Sequence, residues 1–461
     1  MECARTNEEK EKYILKNAVE NAEKKTGIKQ MKKSKVNVII KFVEEYIRKK
    51  NLVCYGGIAI NNILPKEAQF YDYNSELPDY DFFSPNAQND VIDLANKLYD
   101  AGFENVEAKS GMHKATYRLY VDYFQVADVT NLDKKVFNSV RKNAIVRKGI
   151  LYAPPNLLRM MSYTELSRPN GQVSRWEKVM SRLILLNKYF PIKNKRCHQV
   201  NFQRDFDSDD DTKQDVYFKV RNTLIDEGVV FFGGWATSLY SRYMPETNKR
   251  KLEVELPDFD VISEDPETTL IAVKDNLRNS GYKSVKIKKH SEIKDILPYH
   301  YEIIVNGNSI CFIYKNEHCY SYNTIKRNNR GVKIATMDTI LKFYLAFIYC
   351  GKKYYDVDRL LCMAFYLLKL QQKNKFAQKG LLKRFTIECY GEEKTVQDTR
   401  SMKNEMFQKL KHNKKSKEYK EHFLKYVPKG KLQRKRARTR KRKMKGKKKA
   451  DTKKNSNWFG F

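Results

Sequence analysis

The hydrophobic and polar positions in the first third of the chain predict alternating helices and strands. Apolar side chains recur every three to four positions over residues 36–47, which is typical of an amphipathic helix. The short apolar run 52–55 favours a buried strand, which Gly56-Gly57 ends before the segment IAINNIL begins a helix. Residues 79–83 begin by alternating acidic and aromatic side chains, as a strand with one polar face does.

The pattern then predicts a helix followed by a hairpin. Residues 86–101 have helical spacing, and Gly102 is a stop signal. Residues 115–121 and 123–130 are two strand-like segments separated by Asp122. We therefore expect an antiparallel pair that turns near this residue.

Segments of the first half recur in the second half in the same order. The offsets between the copies range from 177 to 184 residues, a drift no larger than a loop. The matching segments are 229–236 with the strand and glycine pair near residue 56, 256–263 with 77–84, 301–314 with 117–130, and 335–344 with 153–163. This repetition predicts two copies of one domain.

The predicted fold class is α/β (α+β), with two tandem domains, each a mixed sheet with flanking helices, and a helical C-terminal region. The expected order is a charged helical segment, a first domain, an acidic linker, a second domain, the helical region and a basic disordered tail. The corresponding ranges are 1–35, 36–195, 196–214, 215–345, 346–430 and 431–461.

Composition and charge point to a polyanionic partner. The 461 residues are 41% hydrophobic, which excludes a mainly disordered chain. Lys and Arg number 90 against 55 Asp and Glu, a net charge of +35. The segment 431–461 holds fifteen of these cations and one acidic residue, so the remainder still carries +21. A body this basic favours a nucleic-acid partner.

Other classes of protein are disfavoured by the same sequence. No apolar stretch approaches the roughly 20 residues that a bilayer span needs, and no secretory signal is apparent. The eight cysteines are scattered without a C-x-x-C pair, which argues against a zinc ribbon and against a disulfide scaffold. We therefore expect an intracellular protein that does not contact membranes.

Three acidic residues are the candidate catalytic groups. Asp79 and Asp81 are two positions apart in a predicted strand and so share one face, and Asp128 lies on the second strand of the hairpin. Carboxylates are the ligands that Mg²⁺ prefers, and two such ions can assist phosphoryl transfer. Gly56-Gly57 can bring backbone amides at a helix N-terminus close to a triphosphate.

Each of these features is weak alone, since most glycine pairs are ordinary turns and many surface strands are acidic. Their combination in one order carries the prediction. The second copy keeps Asp258 and Asp260 but has Phe312 where the first has Asp128. We therefore expect the first copy to be catalytic and the second to be structural or RNA-binding.

The amino-acid sequences of several motifs resemble those of a known family. CYGGIAINNILP, ELPDYDFFSP, VDYFQVADVT, YAPPNLLRMMSYTELSRP and RWEKVMSRLILLN are similar to the poly(A) polymerase catalytic subunits of large nucleocytoplasmic DNA viruses. These belong to the polymerase-beta-type nucleotidyltransferase superfamily. The resemblance covers about residues 35–345. The gap between Gly57 and Asp79 is long for the superfamily but agrees with the viral group.

The resemblance implies template-independent addition of AMP from ATP to mRNA 3′ ends, with two Mg²⁺ or Mn²⁺ ions. It makes Asp79, Asp81 and Asp128 the metal-binding catalytic residues and Gly56-Gly57 the nucleotide-binding turn. Because it lacks the third carboxylate, the second domain is expected to be an inactive nucleotidyltransferase-like copy. The resemblance also implies RNA and ATP as partners, a possible homodimer, and a location in the host cytoplasm (viral factory) or virion, with the nucleus open.

Two alternatives stay open at this point. Another RNA terminal nucleotidyltransferase, adding uridylate or CCA, would use the same fold and carboxylates, because base choice depends on pocket shape. A non-catalytic basic RNA-binding virion protein would use the fold without the chemistry.

Overall fold

The computed structural model describes residues 6–31, 34–73, 78–193, 197, 199–202, 210–252, 257–294, 296–327 and 329–429. The predicted basic tail and about half of the predicted acidic linker, including residues 203–209, lie outside these residues. In the described part, no helix is long and apolar enough to cross a membrane.

The first copy contains helices and strands in the predicted order, with additional short elements. Its elements, preceded by the N-terminal helix, are α1 (Asn7–Met31), α2 (Ser34–Lys50), β1 (Val53–Cys54), α3 (Gly56–Ile63), β2 (Tyr80–Ser84), α4 (Ala87–Asp100), β3 (Glu107–Ser110), β4 (Thr116–Val121), β5 (Phe124–Asn131), α5 (Lys134–Lys142), β6 (Ile145–Arg147), β7 (Ile150–Tyr152), α6 (Pro155–Leu166) and α7 (Trp176–Tyr189).

The second copy and the C-terminal region follow. Their elements are α8 (Asp210–Asp226), β8 (Val230–Phe232), α9 (Gly233–Ser241), α10 (Glu246–Leu252), β9 (Phe259–Ser263), α11 (Pro266–Asn279), β10 (Val285–His290), β11 (His300–Val305), β12 (Asn308–Lys315), β13 (Tyr320–Arg327), β14 (Arg330–Ala335), α12 (Met337–Phe347), α13 (Val357–Lys373), β15 (Cys389–Tyr390), α14 (Val396–Leu410), α15 (Lys417–His422) and β16 (Lys425–Tyr426).

The chain divides into two compact units. The first comprises Met1–Cys54, Tyr71–Asn131 and Glu405–Phe461. The second comprises Tyr55–Phe70 and Leu132–Asn404. The three candidate carboxylates therefore belong to the first unit, whereas the glycine pair and the whole second copy belong to the second unit.

The sheet of the first unit positions the acidic residues. Its strands run in the order β16-β3-β4-β5-β2-β1. The pairing of β2 with β5 is parallel, and the other four pairings are antiparallel. Buried apolar side chains of α2 and α4, among them Val43, Ile47, Leu94 and Leu98, contribute to the core of this unit. Asp81 on β2 and Asp128 on β5 are only partly buried.

The sheet of the second unit is more extensively buried. Its strands run in the order β10-β11-β12-β9-β8-β14-β13-β15, with parallel pairs β9–β12 and β8–β14. All eleven residues of α12 are buried, and they are mostly apolar, with Asp338, Thr339 and Lys342 as the polar exceptions. Asp356 caps the next helix, α13, by accepting a hydrogen bond from the Arg359 backbone N–H at 2.8 Å.

The five-strand pattern confirms the predicted duplication. The order β3-β4-β5-β2-β1 recurs as β10-β11-β12-β9-β8, with matching parallel and antiparallel pairs. Both hairpins carry a register shift, between Leu119 and Tyr120 and between Ile303 and Ile304. These positions are 184 residues apart, which is the offset of the hairpins in the sequence.

Both predicted hairpin turns are also present. Asp122 and Tyr123 have φ of 48° and 68°, and Asn306 and Gly307 have φ of 50° and 87°. Two successive positive φ values are the signature of the type I′ turn, which matches the twist of the flanking strands. The predicted mixed α/β fold is therefore confirmed.

Three sequence expectations are corrected by the structure. The strand of the D-x-D motif begins at Tyr80, so Asp79 lies immediately before it. The C-terminal region is not only helical, because β15 and β16 add an edge strand to each sheet. The cysteines, whose spacing argued against a disulfide scaffold, include four that pair in two disulfides.

Two disulfides join Cys197 to Cys362 and Cys319 to Cys389. The partners are 165 and 70 residues apart in the chain, and folding brings their Cα atoms to 5.4 and 5.2 Å. Pairings of such long separation leave no signature in cysteine spacing. Both lie in the second unit.

A buried ion pair in the second unit leads to a stability prediction. Arg384 donates to Asp338 at 2.5 and 2.9 Å, and both side chains are almost fully buried. Asp338→Ala leaves the guanidinium without its counter-ion and should lower the free energy of unfolding by about 3–5 kcal/mol. Urea denaturation monitored by circular dichroism measures this change.

The matched control is Asp226→Ala, which breaks an exposed pair with Arg330 at 2.6 Å in the same unit. We expect a loss below about 1 kcal/mol, because exposed pairs are well solvated. Equal losses for the two variants would contradict the assignment of Asp338 as a structural ion-pair partner.

Candidate active site

The parallel pairing of β2 and β5 places two of the three candidate carboxylates side by side. Asp81 is the register partner of Asp128. Tyr80 and Phe82 on β2, and Ala127 and Val129 on β5, are buried. Since side chains alternate along a strand, the intervening aspartates share the opposite face of the sheet. The structure thus places Asp81 and Asp128 on one face of the sheet.

Gln125 links the third carboxylate to the site. Its side-chain amide donates to Asp79 Oδ2 and to Asp128 Oδ1, both at 3.2 Å. Gln125 stands three residues before Asp128, a spacing that normally puts side chains on opposite faces. The register shift opposite Leu119 and Tyr120 adds one residue to β5, and this allows Gln125 to reach the carboxylate face.

Arg118 supplies the positive charge next to the acidic group. It is the register partner of Asp128 across β4 and β5, and its Nε lies 3.4 Å from Asp128 Oδ1. Arg118 therefore partly neutralises a site that otherwise concentrates negative charge.

Burial and neighbouring charges shift the pKa values of the carboxylates in this site. Burial raises the pKa of Asp128 to about 6, an effect that Arg118 opposes and the nearby Asp79 carboxylate reinforces. Loss of solvent around Asp79 raises its pKa as well, against the lowering effects of Gln125 and Arg118. A carboxylate cluster with raised pKa values is one whose ionised form a bound cation would stabilise.

The chemistry of the donor set fits Mg²⁺ or Mn²⁺. The three aspartates offer oxygen atoms only, which are the ligands that hard divalent cations prefer. Among the described residues, no group of three or more His, Cys, Asp or Glu side chains forms a preassembled metal cage. Asp128 instead faces Arg118 and Gln125, which compete with a cation for its oxygen atoms.

The glycine pair forms the predicted turn into a helix. Gly56 has φ of 72°, a left-handed conformation in which a Cβ would be strained, and it is the first residue of α3. Gly233 has φ of 71° at the start of α9. Gly57 follows inside the first turn of α3. The positive φ thus explains the first glycine of the pair, and the free amides of the helix start could bind anions.

The second copy has the same backbone with different chemistry. Phe312 is the register partner of Asp260, so an apolar ring stands where the first copy has Asp128. This ring is buried and stacks on Tyr354 with a centroid distance of 5.2 Å. The second copy therefore lacks the third carboxylate, as its sequence predicts.

One further exchange changes the charge next to that position. Glu302 is the register partner of Phe312, where the first copy has Arg118. Ser309 donates to Glu302 at 2.5 Å, and His290 contacts the same carboxylate at 2.7 Å. The arginine of the first copy is thus replaced by a buried acidic group, which contacts Ser309 and His290 and has the Lys288 ammonium 3.9 Å away.

In the second copy, the Asp260 side chain occupies the space next to the glycine turn at Gly233. A Cβ at Gly233 would overlap the Asp260 carboxylate, which therefore packs directly against this turn. Tyr314 O–H lies 3.5 Å from the other oxygen of Asp260. The protein's own side chain thus lies where a glycine turn would otherwise be approached by a ligand.

Sequence reasoning missed Gln125 and Arg118. A regular hairpin around Asp122 and Tyr123 would pair Tyr117 with Asp128, and only the bulge moves Arg118 to that place. One signal was available, since Arg118 alternates with buried Tyr117 and Leu119 and so lies on the polar face. Nothing in the sequence indicated the bulge itself.

Comparisons with known proteins agree with the motifs. Residues 41–172 match the family model described as poly(A) polymerase catalytic subunit. This range contains all five candidate residues of the first copy. The resemblance predicted from the motifs is therefore confirmed for this part of the chain.

Curated relatives match about a third of the chain. The putative poly(A) polymerase catalytic subunit of African swine fever virus (strain Badajoz 1971 Vero-adapted) is 31% identical over 163 residues, which are 34% of each chain. That of Acanthamoeba polyphaga mimivirus is 30% identical over 161 residues, 34% of this chain and 27% of the relative. The matched segment thus spans about a third of these relatives.

The fold extends the likeness over nearly the whole chain. The crystal structure of the Megavirus polyadenylate synthase superposes with a TM-score of 0.78 and 20% identity. The superposition covers 95% of this chain and 90% of that one. Both copies therefore belong to a fold that occurs in a solved structure.

The raised pKa of Asp128 gives a pH-dependent stability prediction. The folded value of about 6 exceeds the ordinary value of about 3.9, so ionisation of Asp128 destabilises the metal-free fold. This destabilisation is absent below pH 4, grows between pH 4 and 6 and is complete above pH 6. Asp128→Asn should therefore be more stable than the wild type by about 2 kcal/mol at pH 7.5 in EDTA.

Urea unfolding across this pH range measures the difference, which should vanish near pH 4. A stability difference for Asp128→Asn that is constant from pH 4 to 7.5 would contradict the assigned pKa.

Proposed function

We propose that this protein is a template-independent poly(A) polymerase that adds AMP from ATP to mRNA 3′ ends. The observation that carries the proposal is the register of Asp81 with Asp128, with Asp79 joined to them through Gln125. These residues lie within the segment that matches the poly(A) polymerase family model. The names of the curated relatives support the choice of adenylate.

The reaction is attack of the RNA 3′ hydroxyl on the α-phosphorus of ATP, which forms a phosphodiester bond and releases pyrophosphate. Two divalent ions, Mg²⁺ or Mn²⁺, would supply activation of the hydroxyl and charge neutralisation on the leaving group. Asp79, Asp81 and Asp128 are the residues that would hold them. Arg118 keeps Asp128 ionised and oriented before substrate arrives.

The glycine turn has a separate role in this proposal. Gly56 and Gly57 lie at the start of α3, where backbone N–H groups have no partner within the helix. Such groups, together with the positive end of the helix dipole, favour a triphosphate. A side chain at Gly56 would be strained by the positive φ, so a substitution there should weaken nucleotide binding.

Incubation with labelled RNA and each nucleoside triphosphate separately tests the choice of substrate. Long products with ATP alone are expected. Extension with UTP, or a short CCA addition, would favour another terminal transferase. RNA binding without extension by any nucleotide would favour the non-catalytic alternative.

The two copies give a matched pair of variants. Asp79→Ala removes a candidate metal ligand and should abolish nucleotide addition, a loss on the order of 100-fold or more. Asp258→Ala makes the corresponding change in the copy with Phe312 and should leave most of the activity. Primer-extension rates with saturating ATP and Mg²⁺ or Mn²⁺ measure both.

Circular dichroism must show that both variants are folded. Loss of activity in Asp258→Ala with retention in Asp79→Ala would reverse the assignment of the copies. Full activity in Asp79→Ala would contradict the carboxylate site.

A further inference from the structure

A row of basic side chains leads away from the acidic pair across the sheet of the first unit. Lys425 on β16 is the register partner of Lys109 on β3. Lys109 is the register partner of Arg118 on β4, and Arg118 is that of Asp128 on β5. Because residues directly opposite each other on paired strands point to the same face, the three cations lie on the face that carries Asp81 and Asp128. We name Arg118, Lys109 and Lys425 the cation row.

Contacts on the other face of the sheet support this placement. Tyr426, which follows Lys425 on β16, donates through its hydroxyl to Asn96 of α4 at 2.7 Å. Tyr80 on β2 donates to Glu44 of α2 at 2.5 Å. Since side chains alternate along a strand, Lys425 points away from α4, toward the face opposite these two helices.

The cations of the row are accessible and only partly neutralised. The side chains of Lys109 and Arg118 are 46% and 38% exposed, and Lys425 is exposed as well. Lys109 pairs with Glu107 at 2.6 Å, and Arg118 Nε lies 3.4 Å from Asp128 Oδ1. Lys425 has no ion-pair partner among the residues that the structure describes. Positive charge therefore remains available along the row, most of all at its outer end.

The second copy has a different charge pattern at the same positions. Lys288 on β10 corresponds to Lys109, and its register partner Glu302 corresponds to Arg118. Opposite charges thus face each other across these strands, with Lys288 Nζ 3.9 Å from the Glu302 carboxylate. In the described part of the chain, β10 is the last strand of its sheet, so the second copy has no counterpart of Lys425. The uninterrupted row belongs to the copy that carries the three aspartates.

The arrangement of like charges indicates an anionic ligand. Like charges directly opposite each other on neighbouring strands destabilise a sheet. The first copy has two such pairs in succession, Lys425 with Lys109 and Lys109 with Arg118. An anion that lies over the row would offset this repulsion.

The length of the row favours a chain of phosphates over a single phosphate group. Neighbouring strands are about 4.8 Å apart, so the row extends roughly 10 Å from Arg118 to Lys425. The net charge of +21 on residues 1–430 likewise favours an extended polyanion. A single-stranded nucleic acid has such a backbone, and basic grooves that follow the backbone are typical of its binding sites.

We propose that the cation row binds the backbone phosphates of the RNA substrate next to its 3′ end. This inference rests on the proposed function, because it takes RNA as the substrate and places the reacting 3′ hydroxyl at the carboxylates. The phosphates that precede this hydroxyl then lie over Arg118, Lys109 and Lys425 in turn. The RNA leaves the site at the edge of the sheet that β16 forms, so the C-terminal strand extends the RNA path.

Fluorescence anisotropy of a labelled 20-nucleotide oligo(A) with the full chain, without nucleotide and in EDTA, tests the proposal. Lys109→Gln/Lys425→Gln should reduce the slope of log affinity against log salt by about 1.4, which is roughly 25-fold in affinity at 0.1 M salt. In primer extension, the same variant should raise the KM for oligo(A) and leave kcat and the KM for ATP close to those of the wild type. Each variant is compared with the wild type, so the contribution of the basic segment 431–461, which all of them share, cancels.

The control is Lys41→Gln/Lys49→Gln, which removes the same charge from exposed positions of α2, on the other face of the sheet. It should bind oligo(A) with the slope and affinity of the wild type. Lys425→Gln alone guards against misfolding, because Lys425 is exposed, and should lower the slope by about 0.7. Lys109→Arg/Lys425→Arg keeps the charge and should restore binding.

Two results would overturn the proposal. One is binding of oligo(A) by Lys109→Gln/Lys425→Gln that equals that of the α2 control. The other is a raised KM for ATP in this variant with oligo(A) binding unchanged, which would assign the row to the triphosphate. The failure of the proposed function has a different signature, in which the row variants lose oligo(A) binding but the wild type adds no nucleotide. Normal AMP addition by the wild type with unaltered binding by the row variants would refute the cation row alone.

Discussion

The parallel hydrogen bonding of β2 to β5 holds two carboxylates next to each other, and the candidate site depends on this constraint. Asp81 and Asp128 cannot separate without breaking the register of the sheet. Burial at this position raises the pKa of Asp128, and the nearby Asp79 carboxylate adds to the rise. Hydrogen bonding between β2 and β5 thus holds the two carboxylates together in the absence of a bound cation.

The second copy shows which parts of this arrangement belong to the fold and which to the chemistry. Strand order, the positive φ of the first glycine and the hairpin bulge are common to both copies. The side chains at the bulged hairpin are not, since Phe312 and Glu302 stand where Asp128 and Arg118 do. A duplicated backbone can therefore keep its core and lose its site.

The sequence was sufficient for features that depend on neighbouring residues. The turn at Asp122 follows from a local pattern. The duplication follows from the recurrence of such local patterns in the same order. The expectation that Asp79 and Asp81 share one face follows from their spacing of two residues. Features that depend on distant segments were not accessible. The bulge that re-aims Gln125, the disulfide of Cys319 with Cys389 and the edge strand β16 are fixed by tertiary packing. The register between β4 and β5, which the periodicity of each strand does not reveal, determines that Arg118 and Gln125 contact Asp128.

The central claim is that the three aspartates of the first copy act as one divalent-cation site. Electron paramagnetic resonance of Mn²⁺ titrated into the full chain with a non-hydrolysable ATP analogue counts the ions that are bound. We expect two bound ions in the wild type and in Asp260→Asn, and a loss of at least one in Asp81→Asn. An unchanged count in Asp81→Asn, or a loss confined to Asp260→Asn, would contradict the account.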